Sequence, residues 1–325
     1  MSTARAVVVT EPGDSSVLKV LEWEVAEPRP GEVQVEVAAA GVNFFDVYVR
    51  QGVYPTPTPF VLGNEGAGTV AAVGEGVTGF SVGDRVAWAQ SGSSQATRVN
   101  VPATRLVAVP EGVSLTDAAA AMLQGLTAHY LVTSTYPVRE GDVALVHAAA
   151  GGVGQLLVQL IASRGGTVVA TAGSETKLRI ARERGAHHTI NYSEVDDLAA
   201  AVREIEPAGV EVVYDGVGKA TFDASLASLK RRGMLVLFGG ASGQVPPFDL
   251  QRLNSGGSLY VTRPTLGDYV AERGEFERRA AELFEWLRTG EVKLDIGGQY
   301  TFDQAAHAYD ALEGRRTTGK LILVP

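Results

Sequence analysis

Between Gly141 and about Thr262, short β-rich runs alternate with helix-length stretches. The strand cores are VALVHA (143–148), TVVATA (167–172), HTIN (188–191), VEVVYD (210–215) and MLVLFG (234–239). Helices are read at 152–164, 175–184, 194–205 and 221–230, with Gly165, Gly185 and Gly233 as left-handed caps. GGSLYVT (256–262) reads as one further strand. Parallel strands need crossovers of helix length, so this alternation predicts a doubly wound parallel sheet.

The first turn of that region, HAAAGGVGQ (147–155), joins a strand to a helix with an apolar stripe at Val153, Leu156, Leu157, Leu160 and Ile161. Gly151 lets the backbone approach a pyrophosphate, and Gly154 lets helix and strand pack closely. The helix start, with Gly152 and Val153, offers unpaired N–H groups to an anion. Ala149 stands where the usual first glycine of a dinucleotide loop would be. The alternative is a tight turn that binds nothing. The second strand ends in VVATAGSETK with no acid before Glu175. NAD-binding sheets usually carry one there for the ribose hydroxyls. Gly173 and Ser174 instead leave room for a 2′-phosphate. Lys177, one of six lysines, can pair with it, and Tyr192 can add a hydrogen bond. The pattern predicts NADPH rather than NADH. Against this, Lys177 also reads as an exposed helix charge.

On either side the character differs. The first 120 or so residues are β-rich: ARAVVVT, then EVQVEVAAAGV with alternation at Val33, Val35 and Val37. NEGAGTVAAVGEGVTGFSVGDRVAW breaks short strands with closely spaced glycines, as a compact barrel requires. SLTDAAAAMLQGLTAHYLV reads as a helix capped by Ser114 or Thr116. At the end come a helix at 276–290, a second helix with Asp303 near its start, and the strand GKLILVP. That ending predicts a return to the first domain. Domains are expected at 1–122, 123–264 and 265–325.

The absence of cysteine excludes disulfides and thiolate-bound metals. The formal charge of -9 argues against a nucleic-acid partner. Neither a signal peptide nor an apolar run of about 18 residues is evident, so a cytoplasmic, non-membrane protein is expected.

GVNFFDVYVRQGVY (41–54) crowds polar side chains among aromatics, which marks either a turn at a core edge or the wall of a pocket. Asp46 and Arg50 are expected to orient the segment by ion pairing.

Together AGVNFFDVYVRQGVYP, GNEGAGTVAAVGEGV, GDRV, HAAAGGVGQ, INY, VVYDGVG, GSLYVTRP and TGKLILVP resemble the medium-chain dehydrogenase/reductase superfamily. Within it they resemble the zeta-crystallin-like NADPH:quinone oxidoreductases, over essentially the whole length. The resemblance implies an α/β fold: a Rossmann doubly wound sheet inserted after a β-rich GroES-like barrel that the C-terminus completes. It implies NADPH-dependent reduction of a quinone at a metal-free site between the two domains. Asn43 and Asn64 stand where zinc-dependent members carry ligands, and His129, His147, His187, His188 and His307 show no ligand spacing. Without a Lewis acid, alcohol oxidation is disfavoured and electron-poor acceptors fit better.

The same resemblance implies that Asn43 and Tyr48 lie near the nicotinamide, with Tyr48 polarising the acceptor carbonyl. It implies that Tyr54 lines the slot for a flat ring. Thr127, opening a helix before the sheet, is implied as a cofactor contact. So are Gly216 and Val217, Phe238 and Gly239, and Val261, Thr262 and Arg263, the last also facing the pocket. The other reading of the tyrosines is packing. A homodimer through the edge strand of the cofactor domain is implied. Two alternatives stay open: reduction of activated C=C bonds in enones or enoyl thioesters, and a crystallin-like protein that binds NADPH without turnover.

Overall fold

The structure is a computed structural model that describes residues 2–325. The chain forms two compact units. One runs to Leu126 and resumes at Val270–Pro325; the other is Thr127–Tyr269.

The second unit is built on a six-stranded sheet whose neighbours are all parallel. In spatial order its strands are His188–Asn191, Thr167–Ala172, Val143–Val146, Val210–Asp215, Leu229–Leu237 and Tyr260–Thr262. In chain order that is 3-2-1-4-5-6, so the winding reverses between Val143–Val146 and Val210–Asp215. Helices cover the sheet, and its strands are apolar on both sides. Leu145, Val169, Val213 and Leu235 are fully buried. Ser174 accepts from the Lys177 N–H at the start of Glu175–Glu183. Asp197 accepts from the Ala200 N–H at the start of Leu198–Ile205. Side-chain caps of this kind begin a helix by satisfying its free first-turn donors.

Several sequence expectations shift here. Gly165 and Gly185 do take left-handed backbones, but Gly233 caps no helix. The helix read at 221–230 is Phe222–Ser228, and the next strand already starts at Leu229. Arg232 takes the positive φ instead, donating its N–H to the Gly257 carbonyl at 2.8 Å. Gly233 lies in the strand, where a Cβ would press on Leu229 and the Lys230 carbonyl, each at about 3.0 Å. The helix read at 194–205 starts only at Leu198, because Asp197 caps it. Of 256–262 only Tyr260–Thr262 pairs, since Gly257 and Ser258 turn through positive φ.

In the first unit a seven-stranded sheet wraps around Glu32–Val42. One edge of that strand pairs with Glu65–Val73. Its other edge pairs first with Arg98–Pro102 and then with the last strand, Lys320–Val324. Leu321 lies opposite Val42 and Ile322 opposite Gly41, so the C-terminus completes this sheet. Ile296–Thr301, which two glycines hide from the strand pattern, pairs parallel with Lys320–Val324. A three-stranded sheet, Leu18–Val25, Ser2–Val9 and Phe60–Val61, stands beside it. Glycines permit the tight curvature: a Cβ on Gly66 would lie 2.6 Å from Trp88. Val33, Val35, Val86 and Trp88 form the buried centre.

Candidate active site

In the second unit the strand Val143–Val146 runs directly into the glycine loop. Ala148 has φ 50°, and Gly151 is the extended N-cap of the helix Gly152–Ser163. A Cβ on Gly154 would collide with the Ala148 carbonyl and come within 2.8 Å of the Ala149 Cα. Only glycine allows helix and loop to approach so closely, as the motif predicts. The loop therefore aims first-turn N–H groups of a 12-residue helix outward from the strand end. That cradle fits a pyrophosphate.

The end of Thr167–Ala172 carries Gly173 and Ser174. A Cβ on Gly173 would sit 2.5 Å from the Tyr192 hydroxyl, so Tyr192 lies over Gly173. Lys177 is in the first turn of the helix that Ser174 caps. Gly216 and Phe238 also meet: a Cβ on Gly216 would be 2.9 Å from the Phe238 ring. Gly239 packs against the Gly216 backbone, and Val217 donates its N–H to Asp215 at 2.8 Å. Val261 and Thr262 are half-buried on the edge strand. Arg263 is exposed and donates to the Leu237 carbonyl at 3.2 Å. The sequence reading of Thr127 as the start of a helix does not hold. It opens no helix; it lies in the last turn of Leu115–Tyr130, because Ser114 starts that helix by accepting from Asp117.

In the first unit the stretch at 41–54 is partly core and partly exposed. Phe44–Arg50 is a helix, and Asn43 is its N-cap. Phe45 stacks on Tyr54 at 5.5 Å between ring centroids, and Tyr48 meets the Tyr54 ring edge at 6.3 Å. Tyr48 is half-buried and Tyr54 is 46% exposed, so these rings form an open aromatic face. Asn43 is different. It is 3% exposed, and its amide is already engaged. It donates to Glu65 at 2.6 Å and accepts from Lys320 at 2.7 Å and Gln124 at 3.3 Å. These contacts anchor Asn43 at the start of the Phe44–Arg50 helix.

Sequence reasoning missed the rest of this cluster. Lys320 and Glu65 are fully buried and ion-paired. Glu65 also accepts from the Leu123 N–H at 2.5 Å. Asp46 accepts the Asn43 N–H at 2.9 Å and the Tyr309 hydroxyl at 3.1 Å, and Gln95 donates to Tyr309 at 2.6 Å. Burial pushes the Asp46 carboxyl up to about 7 despite these donors and the nearby Lys320. Arg50 does pair, but with Glu313, at 2.8 and 3.0 Å, and not with Asp46. The partners lie far apart in sequence, and no local pattern marks them.

Of the histidines, His187, His188 and His307 are exposed while His129 and His147 are buried. Asn64 is 9% exposed.

Residues 29–140 match the family model described as alcohol dehydrogenase GroES-like domain, and 152–286 match that of zinc-binding dehydrogenase. Fold and site thus define an oxidoreductase of the medium-chain dehydrogenase/reductase superfamily. The chain is 44% identical to the quinone oxidoreductase of Pseudomonas aeruginosa, over 96% of this chain and 97% of that one. It is 40% identical to a 2-haloacrylate reductase of a Burkholderia species, covering 98% of each. A mycobacterial protein solved with NADPH superposes with a TM-score of 0.96 at 46% identity, over the whole of both chains. The chain belongs to the quinone oxidoreductase family of that superfamily.

Proposed function

We propose that the chain reduces quinones with NADPH and without a metal. The near full-length match to a quinone oxidoreductase carries this reading. The local chemistry agrees. NADPH, when bound, supplies a hydride. Gly151, Gly152 and Val153 would hold its pyrophosphate, and Gly173, Ser174, Lys177 and Tyr192 its 2′-phosphate. Thr127, Gly216, Val217, Phe238, Gly239, Val261, Thr262 and Arg263 would hold the remainder. Tyr48 would donate a hydrogen bond to the acceptor carbonyl, and Tyr54 with Phe45 would offer a flat apolar face. Asn43 holds the start of the Tyr48 helix.

The exposed edge strand Tyr260–Thr262, with Tyr260 56% exposed, supports pairing of two cofactor units in a homodimer. A cytoplasmic location fits a reaction that draws on a regenerated NADPH pool.

Reduction of an activated C=C bond is the second reading, favoured by the 2-haloacrylate reductase match. NADPH oxidation assayed with a simple quinone, with an enone, and with NADH in place of NADPH decides between them. Fast turnover with quinone and NADPH alone supports the first reading. Turnover with the enone alone transfers the function to the second.

A further inference from the structure

Where the winding of the parallel sheet reverses, four buried side chains make a directed hydrogen-bond chain that the proposed reaction does not use. His147 follows the strand Val143–Val146 and immediately precedes the glycine loop. Asp215 ends the adjacent strand Val210–Asp215 and immediately precedes the loop 216–218. His147 is 2% exposed, and Thr171, Ser225 and Asp215 are fully buried.

The direction of each bond follows from proton counting. Asp215 Oδ2 accepts from Ser225 Oγ at 2.8 Å and from Thr221 Oγ1 at 2.7 Å. Its Oδ1 accepts the N–H groups of Val217 at 2.8 Å and Gly218 at 3.0 Å. Ser225 has one proton and gives it to Asp215. At 3.0 Å from His147 Nε2 it must therefore accept, so Nε2 carries the imidazole proton. Burial holds His147 below its ordinary pKa, which keeps it neutral and leaves Nδ1 an acceptor. Thr171 Oγ1, 2.9 Å away, donates to it. The chain runs Thr171 to His147 to Ser225 to Asp215 and ends on two backbone N–H groups of a loop.

We infer that His147, Ser225 and Asp215 are positioning residues that lock the loop 216–218 to the glycine loop at 148–154, so that both meet the dinucleotide in register. This rests on the NADPH reading above. Asp215 is saturated by four donors and so has no lone pair directed at substrate. Its role is exerted through the loop it holds. The lock acts on the part of the nucleotide common to NADPH and NADH, which separates it from Lys177.

The test measures NADPH and NADH affinity by fluorescence for the wild type, Ser225→Ala and Asp215→Asn, with KM and kcat alongside. Cutting a buried link of this kind is expected to weaken both nucleotides by the same factor, about tenfold, with a much smaller change in kcat. Unchanged affinities in folded variants overturn the proposal, and so does a fall in kcat with affinity intact. Wild type that binds neither nucleotide overturns the cofactor reading and the proposal with it. A second readout needs no variant: nitrogen NMR of the imidazole side chains. His147 is expected as the neutral Nε2–H form, with Nδ1 unprotonated. The Nδ1–H form, or a doubly protonated ring, overturns the assignment.

Discussion

Replacing Lys320 with methionine removes the cation from a buried cluster. Lys320 and Glu65 are both fully buried, and Lys320 also donates to Asn43 and to the Val42 carbonyl. Breaking a buried ion pair by removing one member costs about 3–5 kcal/mol, because the other charge is left uncompensated. Glu65 would keep two donors, the Asn43 amide and the Leu123 N–H, so the lower end, about 3 kcal/mol, applies. The assay is urea unfolding followed by tryptophan fluorescence. Trp23, Trp88 and Trp286 all lie in the unit that contains the cluster, so the signal reports that unit alone. With a slope of about 2 kcal/mol per molar urea, the midpoint should drop by about 1.5 M. Adding Glu65→Gln to Lys320→Met should recover part of the loss, because the uncompensated charge is gone and the amide oxygen still accepts from one of the two donors, Asn43 or Leu123. A drop below about 0.5 M, or a double variant no better than the single, would refute the reasoning.

Three other outcomes follow from the same geometry. The raised pKa of Asp46, about 7 against 3.8, means that the folded state holds its proton more tightly than the unfolded one. Its contribution is full below pH 4 or so and is lost as pH rises through about 7, with Tyr309, Lys320 and Glu65 facing it. Asp46→Asn should flatten that part of the tryptophan-monitored stability profile. Lys177→Ala should raise the KM for NADPH roughly tenfold to a hundredfold while leaving NADH unaffected, as loss of one charge-assisted bond predicts. Tyr48→Phe should lower kcat with quinone by roughly tenfold to a hundredfold at unchanged NADPH affinity; equal kcat would reduce Tyr48 to a packing residue.

Features written in adjacent residues were legible before the structure. The strand and helix periods, the glycine loop, and the meeting of Gly173 with Tyr192 each lie within a few residues or on neighbouring strand ends. Boundaries failed where a neighbour competed for the turn. Arg232 took the positive φ assigned to Gly233, and Ser114 began the helix in which Thr127 falls near the end. The contacts that anchor Asn43 were not legible. Its partners Glu65, Gln124 and Lys320 come from three distant segments, and nothing in AGVNFFD points to them. One overlooked residue did carry a local signal. Asp215 before GVG is the pattern of an acid that folds back onto the N–H groups two and three residues on.

The place of Lys320–Val324 inside the first unit's sheet, between Ile296–Thr301 and Glu32–Val42, sets a timetable for biosynthesis. Glu65 and Lys320 are 255 residues apart. At about 5–20 residues per second, Glu65 waits roughly ten to fifty seconds on the ribosome for its cation. Meanwhile Glu32–Val42 has an unclaimed edge at Ala40–Val42, where Lys320–Val324 will dock. The stretch Thr127–Tyr269 has every strand of its sheet within itself and can fold as soon as it emerges. The nascent protein thus carries a finished nucleotide-type sheet beside an open, aggregation-prone barrel, and a ribosome stalled before Lys320 holds a chain whose first unit cannot close.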